Sequence, residues 1–283
     1  MLFKLQRLIS LLPLVVLQWI GAAVGLIIFI VSPKYRNHLI ANLENAALVS
    51  GFKPSRMRAA CEAGMMFADT LWIWRHPNSS ILKTTVDNWK LFSDLVANGN
   101  GVIILASHLG GFEIIPRIFS QGLRATVMYK PARKQWVNAL MVKSRSHSRV
   151  DFVEANLGGV RKIKRALKNG ELVGILADQV PSVADGVWAK FFNQYAYTSS
   201  FPYKLAHLND VPTLFVSAER LRFGRGWHVK TRLMTRDPLQ SPMEAASQMN
   251  AFFEQHIIEK PHQYMWSYNR YKKPAGAISA PMA

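Results

Sequence analysis

Cysteine occurs once, at Cys61, in a chain of 283 residues. A single thiol excludes an intramolecular disulfide and a cysteine-built zinc site, and it fits a reducing compartment. No Gly-x-Ser-x-Gly elbow is present, which argues against an α/β-hydrolase triad. A His-Glu-x-x-His pair and a glycine-rich phosphate loop are missing as well, so no metal and no cofactor is expected. Neither an internal repeat nor a low-complexity segment occurs. Acidic side chains are scarce, 17 against 35 Lys and Arg, for a formal net charge of +18. Such a surplus suits an anionic partner: a membrane surface, phosphorylated lipid, an acidic protein or nucleic acid. The plainer reading is a merely soluble basic protein.

One stretch lacks charge altogether. Residues 8–31 carry no ionisable side chain over 24 positions, where roughly 20 suffice to cross a hydrocarbon layer. Pro13, Gly21 and Gly25 within it are tolerated in spanning helices. Lys4 and Arg7 precede the run, Lys34 and Arg36 follow it, and Trp19 lies near its middle. A cleaved signal peptide is the alternative, but its apolar core is normally about 7–15 residues long. The run is therefore expected to be an uncleaved anchor. The cations that follow it lead to the expectation that the body lies on the cytoplasmic side of the membrane. Nucleic acid is then a disfavoured partner, because lipid head groups are nearer.

Beyond the anchor (1–32), Pro33 suits a first helical turn leading into residues 35–49, and Pro54 opens a helix to about 74. From residue 100 the rhythm changes. Short apolar strands at 102–106, 125–129, 150–153, 172–176, 213–217 and 227–233 alternate with helical stretches at 112–121, 135–146, 159–168 and 198–208. A further helix covers 242–258. This alternation predicts an α/β fold with a largely parallel sheet flanked by helices. Residues 33–274 form the expected catalytic domain and 275–283 a loose tail.

The segment 101–113 (GVIILASHLGGFE) carries the chemistry. An apolar strand delivers His108 to a turn at Gly110-Gly111, and Glu113 follows five positions after the histidine. Open α/β sheets place ligands at the carboxyl ends of their strands. An imidazole with a nearby carboxylate is the minimal equipment for taking a proton from a hydroxyl. Glu113 is the expected orienter of His108. The absence of a protein nucleophile points to direct attack by a substrate hydroxyl. Backbone amides at Gly110 and Gly111, or Arg145, are the alternatives for stabilising an oxyanion. For Arg145 the competing reading is an exposed, solvated charge.

These residues fall in a recognisable order. His108–Glu113 resembles the H-x4-D/E motif of the lipid A late acyltransferases, the lauroyl/myristoyl group within the wider glycerolipid and lysophospholipid acyltransferase superfamily. Tyr129-Lys130-Pro131 resembles that family's Tyr-Arg-Pro block, with Arg145 at its arginine position. Ala177-Asp178-Gln179 resembles a Pro-Asp-Gln segment. Phe191-Phe192, Thr198-Ser199-Ser200 and Leu205-Ala206 follow its F-F-G…T-T-T-G…L-A region. Residues 261–272 resemble the terminal P-x-Q-Y-x-W-x-x-R-x-K. The resemblance covers about residues 1–274. Three departures are visible: Lys130 for arginine, Asn193 for glycine after the Phe pair, and Phe201 for glycine. The last two fall near the region assigned to acyl-chain or carrier accommodation.

The resemblance implies a glycerolipid-acyltransferase-like fold and acyl transfer from acyl carrier protein to a hydroxyl of a lipid A precursor. His108 would be the base and Glu113 its partner. Gly110, Gly111, Lys130, Arg145, Asp178 and Gln179 would be candidates for substrate binding or oxyanion stabilisation. The acyl thioester would be a co-substrate, with no cofactor. Two rivals use the same features: acyl-CoA-dependent transfer to a lysophospholipid or another glycolipid, and a non-catalytic membrane-tethered module binding lipid or carrier protein. The basic run 161–168 reads as a helix closed by Gly170, with Ile163, Ala166 and Leu167 inward and the cations outward. It is either a solvated face or a site for phosphates or an acidic carrier.

Overall fold

Within the uncharged run, Leu14–Val31 form a helix, α1, preceded by Pro13. The computed structural model describes residues 11–132, 134–145, 149–209, 211–235 and 239–281. Lys4, Arg7 and the first residues of the expected anchor therefore lie outside the described residues, as do Ser146 of the expected 135–146 helix and the last two residues of the tail. Ser32 closes α1 by donating its backbone N–H to the Ile28 carbonyl (2.9 Å), and its hydroxyl accepts from the Tyr35 N–H (3.4 Å). Pro33 then opens α2 (Pro33–Ser50), which ends at Gly51 with φ +74°. Ser55 caps α3 (Arg56–Arg75), accepting from the Arg58 N–H. Its start is two residues later than the proline alone suggests, because the cap and not Pro54 fixes the first turn.

The remaining elements alternate: α4 (Pro77–Leu82), β1 (Thr84–Val86), α5 (Trp89–Ala97), β2 (Val102–Gly110), α6 (Ile115–Phe119), β3 (Ala125–Tyr129), α7 (Gln135–Arg145), β4 (Val150–Glu154), α8 (Leu157–Lys168), β5 (Leu172–Leu176), β6 (Gly186–Phe191), β7 (Gln194–Ser199), α9 (Phe201–Asn209), β8 (Thr213–Arg220), β9 (Trp227–Leu233) and α10 (Pro242–Glu259). Seven strands form one sheet in the order β1-β9-β8-β2-β5-β3-β4. All neighbours run parallel except β8 and β9. The fold is α/β, with a mostly parallel sheet flanked by helices and an N-terminal apolar helix long enough to cross a membrane.

β2 lies in the middle of this sheet and is covered on both faces. Ile103, Leu105 and Leu109 join one core with residues of α2, α8 and α10, while Val102, Ile104 and Ala106 join another with residues of α1 and α3. Two-sided burial is why the strand reads as an unbroken apolar run and not as an alternation.

Three features depart from the sequence reading. Residues 186–199 form a hairpin, β6–β7, and the helix expected from 198 starts at Phe201. Phe192 and Asn193 make its turn with φ of +47° and +57°, the left-handed pair of a type I′ turn, which asparagine tolerates. Leu14 and Leu17 of α1 pack with Ala68, Trp72 and Ile73 of α3 in the core, so the presumed anchor is also a layer of the body. The tail is tied down, because Trp188 Nε1 donates to the Ile278 carbonyl (3.0 Å) and Ala277 is buried.

Candidate active site

His108 is the one residue of β2 that is not fully buried, and it sits where the strand reaches its carboxyl end. The neighbouring strand, β5, ends at Leu176 and delivers Asp178 beneath the imidazole. His108 Nδ1 lies 2.8 Å from Asp178 Oδ1, and the His108 backbone N–H donates to Asp178 Oδ2 at 2.9 Å. An ionised carboxylate only accepts hydrogen bonds, so it holds the tautomer with the proton on Nδ1 and leaves Nε2 as the accepting nitrogen. Burial alone would push the Asp178 carboxyl up. The charge and hydrogen bonds of His108, aided by the Arg270 charge, outweigh it and hold the group below the usual carboxylate range. Tyr264, fully buried against Asp178, has its phenol pushed well above the ordinary value by burial and by that carboxylate.

Nε2 faces a cleft of about 660 Å³ lined by His108, Glu113, Lys130, Arg145 and Gln179. Its apolar wall comes from Ile104, Ala106, Val127, Phe152 and Leu176 of β2, β3, β4 and β5. A volume of this order suits a ligand with a large apolar part and a few fixed polar groups. Gln179 Nε2 lies 3.5 Å from His108 Nε2.

Among the described residues Glu113 makes no hydrogen bond or ion pair to His108. It is buried in the cleft wall, where it pairs with the Arg145 guanidinium and accepts from Trp74 Nε1 at 3.0 Å. Arg145 is likewise no solvated charge. It lies 5.6 Å from the Trp74 ring, 6.0 Å from Tyr129 and 5.3 Å from Phe152, a box of aromatic faces around a cation. This pairing of carboxylates has a simple cause. The Gly110-Gly111 turn and the 3₁₀ turn at Phe112–Ile114 carry Glu113 toward α3 and α7, while parallel pairing sets β5 beside β2 and brings Asp178 into register with the histidine.

The family described as bacterial lipid A biosynthesis acyltransferase matches residues 5–273 of the chain. The chain belongs to that family. Among curated relatives, it is similar to the lipid A biosynthesis palmitoleoyltransferase of Escherichia coli K12, with 26% identity over 222 residues, covering 76% of this chain and 71% of that protein. It is also similar to the lauroyltransferase of the same organism, at 24% over 220 residues with the same two shares. A lipid A biosynthesis acyltransferase of Haemophilus influenzae matches at 27% over 181 residues, 60% of this chain and 53% of that protein. The protein is an acyltransferase of lipid A synthesis.

Several family landmarks in this acyltransferase hold the site without entering it. The Gly111 N–H donates to the Ala218 carbonyl at 2.8 Å, so this amide is engaged in the fold. A side chain at Gly110 would meet the Ala218 oxygen at 2.2 Å, and one at Gly111 would meet the Trp227 ring at 2.1 Å. Both glycines permit the close approach of β8 and β9. In the terminal segment, Gln263 clamps the end of β8 through the Arg220 N–H (2.7 Å) and carbonyl (3.1 Å). The Met265 N–H donates to the His108 carbonyl at 3.1 Å. Arg270 reaches back to β7 through the Tyr197 carbonyl (2.9 Å) and Thr198 Oγ1 (2.7 Å). Of the departures, Phe201 and Lys130 line the cleft and Asn193 does not. Sequence reasoning missed Trp74, Tyr264 and Arg270 as supports of the site. Tyr264 and Arg270 fall inside the terminal motif, whereas Trp74 carried no signal.

Proposed function

We propose that the protein moves a fatty acyl group from an acyl carrier protein thioester to a hydroxyl of a lipid A precursor at the cytoplasmic face of an inner membrane. The observation that carries the reading is His108, held by Asp178 with Nε2 open to a cleft whose far wall is apolar. Nε2 takes the proton of the acceptor hydroxyl as its oxygen attacks the thioester carbonyl. The tetrahedral intermediate collapses, the carbon–sulfur bond breaks, and the imidazolium returns its proton to the departing sulfur. The products are an ester and a free thiol.

Asp178 fixes the tautomer and stabilises the imidazolium. The Gln179 amide is the donor best placed for the oxyanion, since it lies beside the nitrogen that the reacting hydroxyl must approach. The Glu113–Arg145 pair, with Lys130, supplies the polar end of the cleft, where the acceptor's head group would be positioned. The apolar wall would take the acyl chain. For the donor, α8 offers Arg161, Lys162, Lys164, Arg165 and Lys168, all exposed, with Ile163, Ala166 and Leu167 buried beneath. An acidic carrier protein is complementary to such a face.

The test is a purified full-length enzyme assayed with acyl carrier protein thioesters and with acyl-CoA against an under-acylated lipid A precursor and a lysophospholipid. Carrier-dependent acylation of the lipid A precursor, lost by at least ~10²-fold in His108→Ala, is the expected result. Retention of more than about a tenth of the activity in a folded His108→Ala protein rejects the histidine as base. Preference for acyl-CoA or for the lysophospholipid rejects the donor or the acceptor.

A further inference from the structure

By composition α1 is apolar except for Gln18, and packing divides it into two faces. One face is shut against α3. A Cβ at Gly21 would lie 2.6 Å from the Gly64 carbonyl oxygen, one at Gly25 2.2 Å from that of Ala60, and one at Gly64 1.9 Å from that of Gly21. The backbones therefore touch. The two helices run antiparallel, because Gln18 near the start of α1 pairs with Asp69 late in α3, while Gly25 meets Ala60 early in α3. Gln18 Nε2 donates to Asp69 Oδ1 at 2.8 Å, and Asp69 Oδ2 accepts from Arg220 Nε (2.6 Å) and Trp227 Nε1 (3.2 Å). Arg220 also pairs with Glu62 at 2.5 Å. The opposite face of α1, with Trp19, Ile20, Val24, Ile27 and Val31, is exposed to the extent of 62% at Trp19 and 68% at Val31.

This packing restricts how α1 can meet a membrane. Its 18 residues make a rod of about 27 Å at 1.5 Å per residue, close to the roughly 30 Å of a hydrocarbon layer. Stood upright, it would cross. But α3 lies along it, and within α3 no uncharged run exceeds six residues (63–68). An upright α1 would draw Arg58, Glu62, Asp69 and, through its ion pairs, the end of β8 into hydrocarbon, where charges are expensive. Lying flat avoids that. The exposed stripe then meets the lipid along its whole length, and cations stand at both ends. Arg222 and Arg225 flank Phe223, which is 74% exposed with φ +60° in a turn whose Gly224 packs on Val15 of α1. At the other end Arg36 donates to the Phe29 and Ile30 carbonyls beside Lys34. An apolar stripe bordered by cations is the pattern of a helix seated in an anionic interface.

We propose that α1 does not span the membrane but lies in the plane of an anionic bilayer surface, with its exposed stripe and Phe223 seated at the boundary between head groups and acyl chains. The proposal shares with the functional reading only that the enzyme works at a membrane, and its test does not measure acyl transfer.

Cys61→Ser removes the single cysteine of the 283-residue chain. Single cysteines at Ile20, Val24, Ile27 and Val31 are then labelled with an environment-sensitive fluorophore. Each protein is bound to phosphatidylethanolamine–phosphatidylglycerol vesicles carrying nitroxide lipids at shallow or deep acyl positions. A flat helix predicts that all four labels are quenched by the shallow nitroxide at one common depth. A depth that changes along the helix, deepest at Ile20 and Val24, overturns the proposal, and so does the absence of quenching. Should the cysteine-free protein fail to fold, Phe223→Asn in the native background gives a second measure, since asparagine tolerates φ +60°. Its vesicle-bound fraction is expected to fall severalfold in co-sedimentation, and an unchanged fraction overturns the seating of Phe223.

Discussion

Replacing Asp178 by asparagine tests the site most directly. Asp178 is 2% exposed, and its side chain makes two hydrogen bonds to one residue, the His108 ring and the His108 backbone N–H. Asparagine keeps the volume but has only one accepting atom. If its oxygen stays on the backbone N–H, its amide N–H points at Nδ1 and selects the tautomer with the proton on Nε2, where the base must be free. If it turns over, the backbone N–H loses its partner. The loss of the correct tautomer in a hydrogen-bonded histidine costs about 10⁴-fold in kcat, equivalent to about 5.5 kcal/mol of transition-state stabilisation. Leaving one buried polar group unsatisfied costs about 1–3 kcal/mol of stability, so the protein is expected to remain folded but weakened.

The pH dependence has a definite sign. The Asp178 carboxyl is held below its ordinary value, so its contribution to stability is fully present above the ordinary carboxylate value of about 4. It disappears as the pH falls from there through the folded value. The asparagine variant is expected to lack that loss. Steady-state kinetics with denaturant unfolding between acidic and neutral pH reads both effects. A folded variant whose kcat stays within about tenfold of wild type refutes Asp178 as the group that fixes the base.

Three further outcomes are expected. Glu113→Gln breaks the buried pair with Arg145 without touching His108, so it should raise KM and lower stability by about 3–5 kcal/mol, with the acid limb of the pH–rate profile unmoved; a displaced limb in kinetics would return Glu113 to the role of orienter. Gly111→Ala places a methyl against the fully buried Trp227 ring, which should cost at least about 1–3 kcal/mol in denaturant unfolding, and an unchanged midpoint would mean that β9 yields easily. Reversing Lys162 and Arg165 to glutamate should raise KM for the acyl carrier thioester at low salt and leave kcat nearly unchanged. The difference should fade above roughly 0.1 M salt, where screening acts within about 10 Å; parallel salt curves for the two proteins mark α8 as a solvated face.

Much of the protein is legible in its sequence because it rests on local rules. The alternation of apolar runs with helical stretches sets the α/β class, and two-sided burial makes β2 readable as a strand. Ser32, Pro33 and Gly51 punctuate the first two helices. His108 is conspicuous at a strand end before two glycines, and the family motifs assemble in order along the chain. What the sequence could not determine is who partners whom across the sheet. Strand order and parallel register bring Asp178, seventy residues away, under His108, while the turn after Gly111 sends Glu113 to Arg145 and Trp74. Sequence distance favours the carboxylate five positions on, but the turn at Phe112–Ile114 carries it away from the ring. The apolar helix follows the same division. Composition makes α1 hydrophobic enough for a membrane. Only the tertiary contacts of Gly21, Gly25 and Gln18 with α3 decide which face is left for lipid, because close backbone approach and buried ion pairs are properties of two segments together.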